Sequence, residues 1–262
     1  MSTSSTQRTA LVTGGSGGIG RAVVARLMAD GFRVLNLDRV PFPGEQAGIE
    51  TIAIDIADQA SIERAFAEVD AKLDGAAPDV LVTLAAVSTA AHFLDVKTED
   101  LDRMLTVNVR GTFLLCQTAA KRMRANRKGH IVVITSVAAA QAWAGEMIYC
   151  ATKAAQLSLV QGMAVELAPF GIMVNAVGPG IIDVKSKGMA GTRADEAVYR
   201  HDIERTPLGR FGAPEEIAEA VLFLTRSTWM TGQTIYVDGG FLANGLAYFG
   251  ERQRRLIEGG SA

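Results

Sequence analysis

From Thr9 to Asp38 the chain runs through a strand, a glycine-rich turn, a helix, a second strand and an acid, and few folds accommodate that order. Thr9-Ala10-Leu11-Val12-Thr13 is a short apolar and β-branched run, which predicts a buried strand. It enters Gly14-Gly15-Ser16-Gly17-Gly18-Ile19-Gly20, after which Ala22, Val23, Leu27 and Met28 recur at helical spacing until Asp30-Gly31 signals a C-cap. Residues 32–37 predict a second strand that finishes at Asp38. Such a unit leaves unpaired N–H groups at the helix N-terminus, where a pyrophosphate can sit, and sets a carboxylate where a ribose diol would lie. A glycine-rich turn alone has the composition of any tight turn. The flanking strands and Asp38 favour a nucleotide, with Gly14, Ser16, Gly17, Gly18, Ile19, Gly20 and Asp38 as candidate contacts. A carboxylate at 38 accepts from the 2′-hydroxyl of NAD and repels the 2′-phosphate of NADP, so NAD is the expected cofactor, against which stands Arg39, able to attract that phosphate.

The same alternation continues. Strands are predicted at residues 50–54, 79–83, 129–135, 172–177 and 233–237, and helices at 60–73, 99–124, 147–170 and 214–226, with a short helix at 194–204. Pro41, Pro43, Gly44 and Gly48 forbid a helix in the crossover before the third strand. Strand and helix alternating throughout argue for one domain over residues 1–262, built on a doubly wound parallel sheet with helices on both faces. A ligand crevice then lies outside the C-terminal ends of the strands. Asp55 falls at that edge, either accepting from an adenine amino group or capping a helix, a task Asp58 can perform instead. Asn108 sits inside the apolar stripe of the 99–124 helix and must be satisfied there by core partners or by water.

Tyr149 and Lys153 are four residues apart on a predicted helix and so share a face. An ammonium beside a phenol favours the phenolate, which would draw the phenol down from about 10 toward the range useful for acid–base work at neutral pH. On most exposed helices such a pair is merely solvated. Ser136, at the end of the fifth strand, falls near the same crevice. Composition narrows the ligand: 26 basic residues against 28 acidic give a formal charge of -2, which offers no field for nucleic acid or an anionic membrane, and a small molecule fits better. Cys116 and Cys150 lack the spacing of a metal site and are expected to be reduced packing residues, and no metal is expected. No apolar run approaches the ~20 residues of a membrane span and residues 1–9 lack an apolar leader core, so a cytoplasmic protein is expected.

Together these residues resemble the short-chain dehydrogenase/reductase family in its shorter single-domain form. The resemblance rests on Thr13-Gly14-xxx-Gly18-x-Gly20, Asp55, Asn108, Ser136, Tyr149-xxx-Lys153, Asn175, Pro179-Gly180 and Val237-Asp238-Gly239-Gly240, and it spans residues 9–240. It implies a seven-stranded Rossmann fold of strand order 3-2-1-4-5-6-7. It also implies that Asn108, Ser136, Tyr149 and Lys153 are catalytic: Tyr149 gives or takes the proton, Ser136 positions the substrate oxygen, Lys153 lowers the phenol and holds the nicotinamide ribose, and Asn108, with a bound water, extends the proton path to solvent. Hydride moves between nicotinamide and the carbinol carbon. Cofactor contacts implied in addition are Arg39, Asp55, Ile56, Ala85, Ala86, Tyr149, Lys153, Pro179, Gly180 and Ile182. Two departures from the family pattern stand out: Thr83-Leu84-Ala85-Ala86 replaces Asn-Asn-Ala-Gly, and Val184 replaces a threonine, leaving backbone near Ile182 to hold the nicotinamide amide.

Substrate contacts are expected from residues 87–93, 137–147 and 184–199, with Ser136, Gln141, Trp143, Met147 and Tyr149 foremost and Glu146 and His92 as further polar candidates. Residues 182–210 read as a covering flap, where Lys185, Lys187, Arg193 and Arg200 offer charge. Past Gly240, the apolar Phe241, Leu242, Leu246, Tyr248, Phe249 and Leu256 suggest an extension at 241–262 that packs on a neighbouring subunit, and a homo-oligomer, dimer or tetramer, is expected. The expected activity is an NAD-dependent secondary-alcohol dehydrogenase or ketone reductase, with a cyclic alcohol or diol as a candidate substrate. An NADPH-dependent biosynthetic ketoreductase of the 3-oxoacyl type is the alternative, and a silent nucleotide-binding scaffold the reading from another class.

Overall fold

A computed structural model describes residues 7–43, 49–184 and 195–243. Seven strands, β1 (Thr9–Thr13), β2 (Arg33–Asp38), β3 (Glu50–Ala53), β4 (Val80–Thr83), β5 (Gly129–Ile134), β6 (Ile172–Pro179) and β7 (Thr234–Val237), form one sheet of order β3-β2-β1-β4-β5-β6-β7. All six pairings are parallel. The parallel sheet is the one expected from the alternation of strands and helices, and its order is the one the family resemblance implies. Because crossover helices cover both faces, the central strands are apolar on both sides. Leu11 of β1 belongs to one core layer and its neighbours Ala10 and Val12 to the other. One layer is closed by α1 (Gly18–Ala29) and α7 (Pro214–Arg226), through Val23, Val24, Leu27, Ile217 and Val221. The opposite layer is closed by α2 (Gln59–Lys72), α4 (Thr112–Asn126) and α5 (Met147–Leu167), through Phe66, Leu115, Cys116 and Val160. Cys116 and Cys150 are both buried and unpaired, as expected of packing residues.

Polar side chains stitch the ends of these elements. Asp58 caps α2, accepting from the N–H groups of Ala60 and Ser61, which leaves Asp55 free of that task. Asn175 on β6 donates to the Met230 carbonyl at 2.7 Å and accepts from the Gln233 N–H at 3.0 Å, fixing the entry to β7. The crossover from β2 to β3 has no helix among its described residues. Helix α6 (Glu196–Arg205) begins at Asp195, whose carboxylate accepts from the Ala197 and Val198 N–H groups. The rest of the expected flap, with Lys185, Lys187 and Arg193, lies outside the described residues, and so does the extension beyond residue 243.

One helix departs from expectation. Residues 99–124 were expected to form a single α-helix, yet α3 (Thr98–Met104) passes into a π-helical segment, Leu105–Gly111, before α4 resumes. Hydrophobic periodicity does not register one extra residue per turn, which is all a π turn adds. Two contacts accompany the widening. Asn108 is fully buried and turns inward, and Gly111 packs so close to the Ile56 carbonyl that a Cβ would stand 2.7 Å from that oxygen.

His130, on the central strand β5, is buried, and that burial holds its imidazole down at about 4 from an ordinary value near 6.5, with the Arg8 charge adding to the effect and a hydrogen bond to the Leu224 backbone opposing it. Between those values the unfolded chain binds more protons than the native one. The stability contribution is therefore complete above the unfolded value and is lost as pH falls toward the folded one. His130→Leu is expected to flatten acid destabilisation across this window by up to ~3 kcal/mol. Urea midpoints at pH 7 and pH 4.5 provide the check, and equal losses in the two proteins would count against it.

Candidate active site

The glycine turn sits where β1 delivers it, at the C-terminal edge of the sheet. Gly14 has φ of 71°, and a Cβ there would stand 2.9 Å from the Ala85 nitrogen. At Gly20 a Cβ would come within 2.7 Å of the Gly15 Cα, so the helix can approach the turn only without a side chain. The result is a groove of about 370 Å³ lined by Gly14, Ser16, Gly17, Asp38, Arg39, Asp55, Ile56, Ala85 and Ala86. Nine expected cofactor contacts thus share one cleft. Asp38 is oriented by backbone: Oδ2 accepts from the Ser16 N–H at 3.1 Å and Oδ1 from the Val40 N–H at 3.2 Å. Ser16 Oγ donates to the Val40 carbonyl and accepts from Asn36 Nδ2, each at 3.0 Å. Ile56, with its carbonyl against Gly111, ties the groove to the π-helical segment.

Other expected contacts fall elsewhere. Gly18 and Ile19 open α1, with Gly18 facing Val184, whose Cγ1 a Cβ at 18 would meet at 2.7 Å. Gly20 is buried. Pro179 ends β6, and the Gly180 N–H donates to the Val237 carbonyl at 3.0 Å. Ile182 turns its side chain into the core and bridges to Gly212, away from the groove around Asp38. The valine in place of the family threonine has its own backbone bond, from Val184 N–H to the Ile182 carbonyl at 2.8 Å.

Beside the groove stand the four expected catalytic residues. Asn108 braces the loop after β4: its Oδ1 accepts from the Val87 N–H at 2.9 Å, and its Nδ2 donates to the Val87 carbonyl at 2.8 Å and to Thr152 Oγ1 at 3.1 Å. Ser136 follows β5, its Oγ accepting from the Ala138 N–H at 3.1 Å while hydrogen-bonded with the Tyr149 phenol. Lys153 is 2% exposed, with Nζ 5.6 Å from the centre of the Tyr149 ring. Nζ donates to the Ile134 carbonyl at 3.0 Å and to Gln156 Oε1 at 3.1 Å. The acidified phenol anticipated from the Tyr149/Lys153 spacing is not what this arrangement gives. Burial pushes Tyr149 up to about 12, Glu146 adds to that, and the Ser136 hydrogen bond opposes it. Burial likewise brings Lys153 down to about 7, which weakens the positive charge that was to acidify its neighbour. The phenol therefore stays protonated at neutral pH.

On the substrate side, Trp143 packs on Phe241 with ring centres 5.8 Å apart, and the Arg205 guanidinium lies over the other ring at 4.4 Å from its centre. Arg205 Nη2 reaches Gln141 Oε1 at 3.5 Å. Trp143 Nε1 is buried without an acceptor among the described residues. Met147 opens α5 and is largely exposed, whereas His92 caps the short turn Phe93–Asp95. Burial raises Glu146, with Asp202 adding to it, and burial also raises Asp202. Sequence reading missed Thr152, Gln156, Asp202 and Arg205. For Gln156 the available signal was a polar residue one turn past Lys153 on the same helix.

The family model and the curated relatives that this chain matches decide the family. The chain belongs to the short-chain dehydrogenases/reductases. Residues 14–242 match a family model described as enoyl-(acyl carrier protein) reductase. L-xylulose reductase of Bos taurus is 38% identical over 245 residues, covering 90% of this chain and 97% of that protein. The 3-oxoacyl-acyl-carrier-protein reductase FabG of Aquifex aeolicus (strain VF5) is 35% identical over 245 residues, 89% of this chain and 96% of the other. A gluconate 5-dehydrogenase from Burkholderia cenocepacia J2315, crystallised with NADP and tartrate, superposes with a TM-score of 0.84 at 30% identity over 90% of this chain and 95% of its own. This short-chain dehydrogenase/reductase is accordingly an oxidoreductase that works with a nicotinamide nucleotide, and its glycine-lined groove suits that cofactor's pyrophosphate. Among the described residues, no helix is long and apolar enough to cross a membrane and no cluster of His, Cys, Asp and Glu could hold a metal.

Asn108→Ala would leave the half-buried Val87 N–H and carbonyl without their partner, and Thr152 Oγ1 without its buried donor. The variant is expected to lose about 3 kcal/mol, and roughly 6–12 °C in Tm, while remaining folded at room temperature. Differential scanning calorimetry decides, and a Tm within a degree of wild type would remove Asn108 from the bracing role.

Proposed function

We propose that the protein moves hydride between NAD(H) and a secondary alcohol or ketone on a small polyhydroxylated skeleton, with Tyr149 as the acid–base group. The observation that carries this reading is the conjunction of the Asp38 groove with Ser136, Tyr149 and Lys153 at one sheet edge. The bound nicotinamide supplies the hydride to a carbonyl carbon, or takes it from a carbinol carbon. The Tyr149 hydroxyl holds the proton destined for the oxygen, Ser136 positions that oxygen, and Lys153 stands behind the ring. A phenol kept protonated suits the donor role, so reduction is favoured at neutral pH and oxidation rises as pH increases. Asp38, with both oxygens oriented by backbone N–H groups, supports NAD. The likeness to L-xylulose reductase supports a polyhydroxy ketone, and the half-buried Glu146, Asp202 and Gln141 offer hydrogen bonds for hydroxyl groups.

An NADPH-dependent 3-oxoacyl reductase is the second reading, favoured by the likeness to FabG and by Arg39 at the same groove. One assay separates them. Purified protein is given NADH or NADPH with L-xylulose, gluconate-type keto acids, cyclic diketones or acetoacetyl thioester, and absorbance at 340 nm is followed. NADH is expected to be preferred by roughly tenfold or more, about 1.4 kcal/mol. Tyr149→Phe should lower kcat by at least ~100-fold while leaving NADH binding, read by fluorescence, in place. Undiminished turnover in that variant would reject the assignment.

Self-association is part of the same proposal. Val165 on α5 is 77% exposed and Trp229 before β7 is 98% exposed, apolar surface suited to a second copy of the chain. Sedimentation velocity should show a dimer or larger at micromolar concentration, and a monomer there would refute it.

A further inference from the structure

Gln156 stands one turn beyond Lys153 on α5 and is 2% exposed. Its carboxamide closes a set of hydrogen bonds in which both amide hydrogens and the amide oxygen are used. Nε2 donates to the Asn108 carbonyl at 2.7 Å and to Thr112 Oγ1 at 2.9 Å, and Oε1 accepts from Lys153 Nζ at 3.1 Å. The orientation of the amide is forced by chemistry. A backbone carbonyl only accepts, so the nitrogen of Gln156 must face Asn108 and its oxygen must face the lysine. Thr112 Oγ1 donates to the same Asn108 carbonyl at 2.7 Å, so both lone pairs of that oxygen are taken. This carbonyl belongs to the π-helical segment Leu105–Gly111, which the bond thereby joins to α5.

We infer that Gln156 is a positioning residue whose carboxamide clamps the Lys153 amine beside Tyr149 and ties it to the Asn108 carbonyl. A primary amide donates through nitrogen and accepts through oxygen, so one side chain serves both partners at once. The clamp also has an electrostatic effect. Two acceptors, Gln156 Oε1 and the Ile134 carbonyl, favour the ammonium form against the burial that opposes it. No nearby charge contributes: burial alone accounts for the lowering at Lys153, and the titratable neighbours of the pair are Glu146 and Cys150, which act on Tyr149, with Asp202 of α6 acting on Glu146.

This inference rests on the proposed role of Lys153 beside Tyr149, but its test needs no turnover. Lysine labelled with ¹³C at Cε is titrated by NMR in the full-length protein, with Lys153→Met identifying the resonance. In the wild type, Lys153 should titrate well below the other lysines. Gln156→Leu, which removes the acceptor at similar size, should lower the midpoint by roughly one unit or more. Gln156→Glu keeps shape and acceptor and adds a charge, so it should raise the midpoint by roughly two units, and it suffices if the leucine variant does not fold. A glutamate variant with the wild-type midpoint would overturn the clamp, as would an unchanged midpoint in a folded leucine variant. Failure of the functional reading is separate, because it would appear as retained turnover in Tyr149→Phe whatever the lysine does.

Discussion

A lysine buried at a helix–sheet junction has to be held by acceptors, and the arrangement around Lys153 follows from meeting that need. Its amine reaches the last carbonyl of β5 and the side chain of Gln156, and Gln156 in turn reaches the carbonyl of Asn108. Asn108 spends its own side chain on Val87 and Thr152. Four separate pieces of chain are thereby locked together: the end of β5, the loop after β4, the π-helical segment and α5. Removing any member leaves a buried donor or acceptor unpaired, which costs more than an ordinary hydrogen bond contributes. Rigid placement of the phenol and the amine is the functional consequence, since acid–base and hydride chemistry depend on position.

The nucleotide edge obeys a different constraint, that of close approach. Glycines at 14 and 20 let the turn fold back against Ala85 and against its own backbone, and Asp38 is aimed by two N–H groups rather than by another side chain. Ile56 belongs to both regions, because it lines the groove while its carbonyl lies against Gly111. The widened helix that presents Asn108 is thus packed directly against the groove's lining. Burial dominates the electrostatics between the two regions, raising Tyr149 and lowering Lys153. Both shifts reduce charge in a dry place.

The parallel sheet and the shared face of Tyr149 and Lys153 were legible from local pattern and spacing, whereas the strand order and the grouping of Asn108 and Ser136 with that pair came from the resemblance to the family. Parallel strands announce themselves as apolar runs between helices, and Tyr149 and Lys153 share a helix face by geometry alone. The π turn was not legible, because one additional residue in a helix leaves the apolar periodicity nearly unchanged. Gln156 read as an ordinary helix residue, since its importance lies in partners 44 and 48 positions away in the chain, Thr112 and Asn108. Likewise Arg205 and Phe241 meet Gln141 and Trp143 only through the fold.

By itself the sequence determined the class of architecture, the edge at which chemistry takes place and the residue types available there, because these follow from periodicity, turn chemistry and spacing. Tertiary structure alone decided the protonation preference of Tyr149 and Lys153, the partner of the Asn108 carbonyl and the neighbours of Trp143. Those depend on how much water is excluded and on which distant groups arrive, and neither quantity is a property of any local stretch of chain.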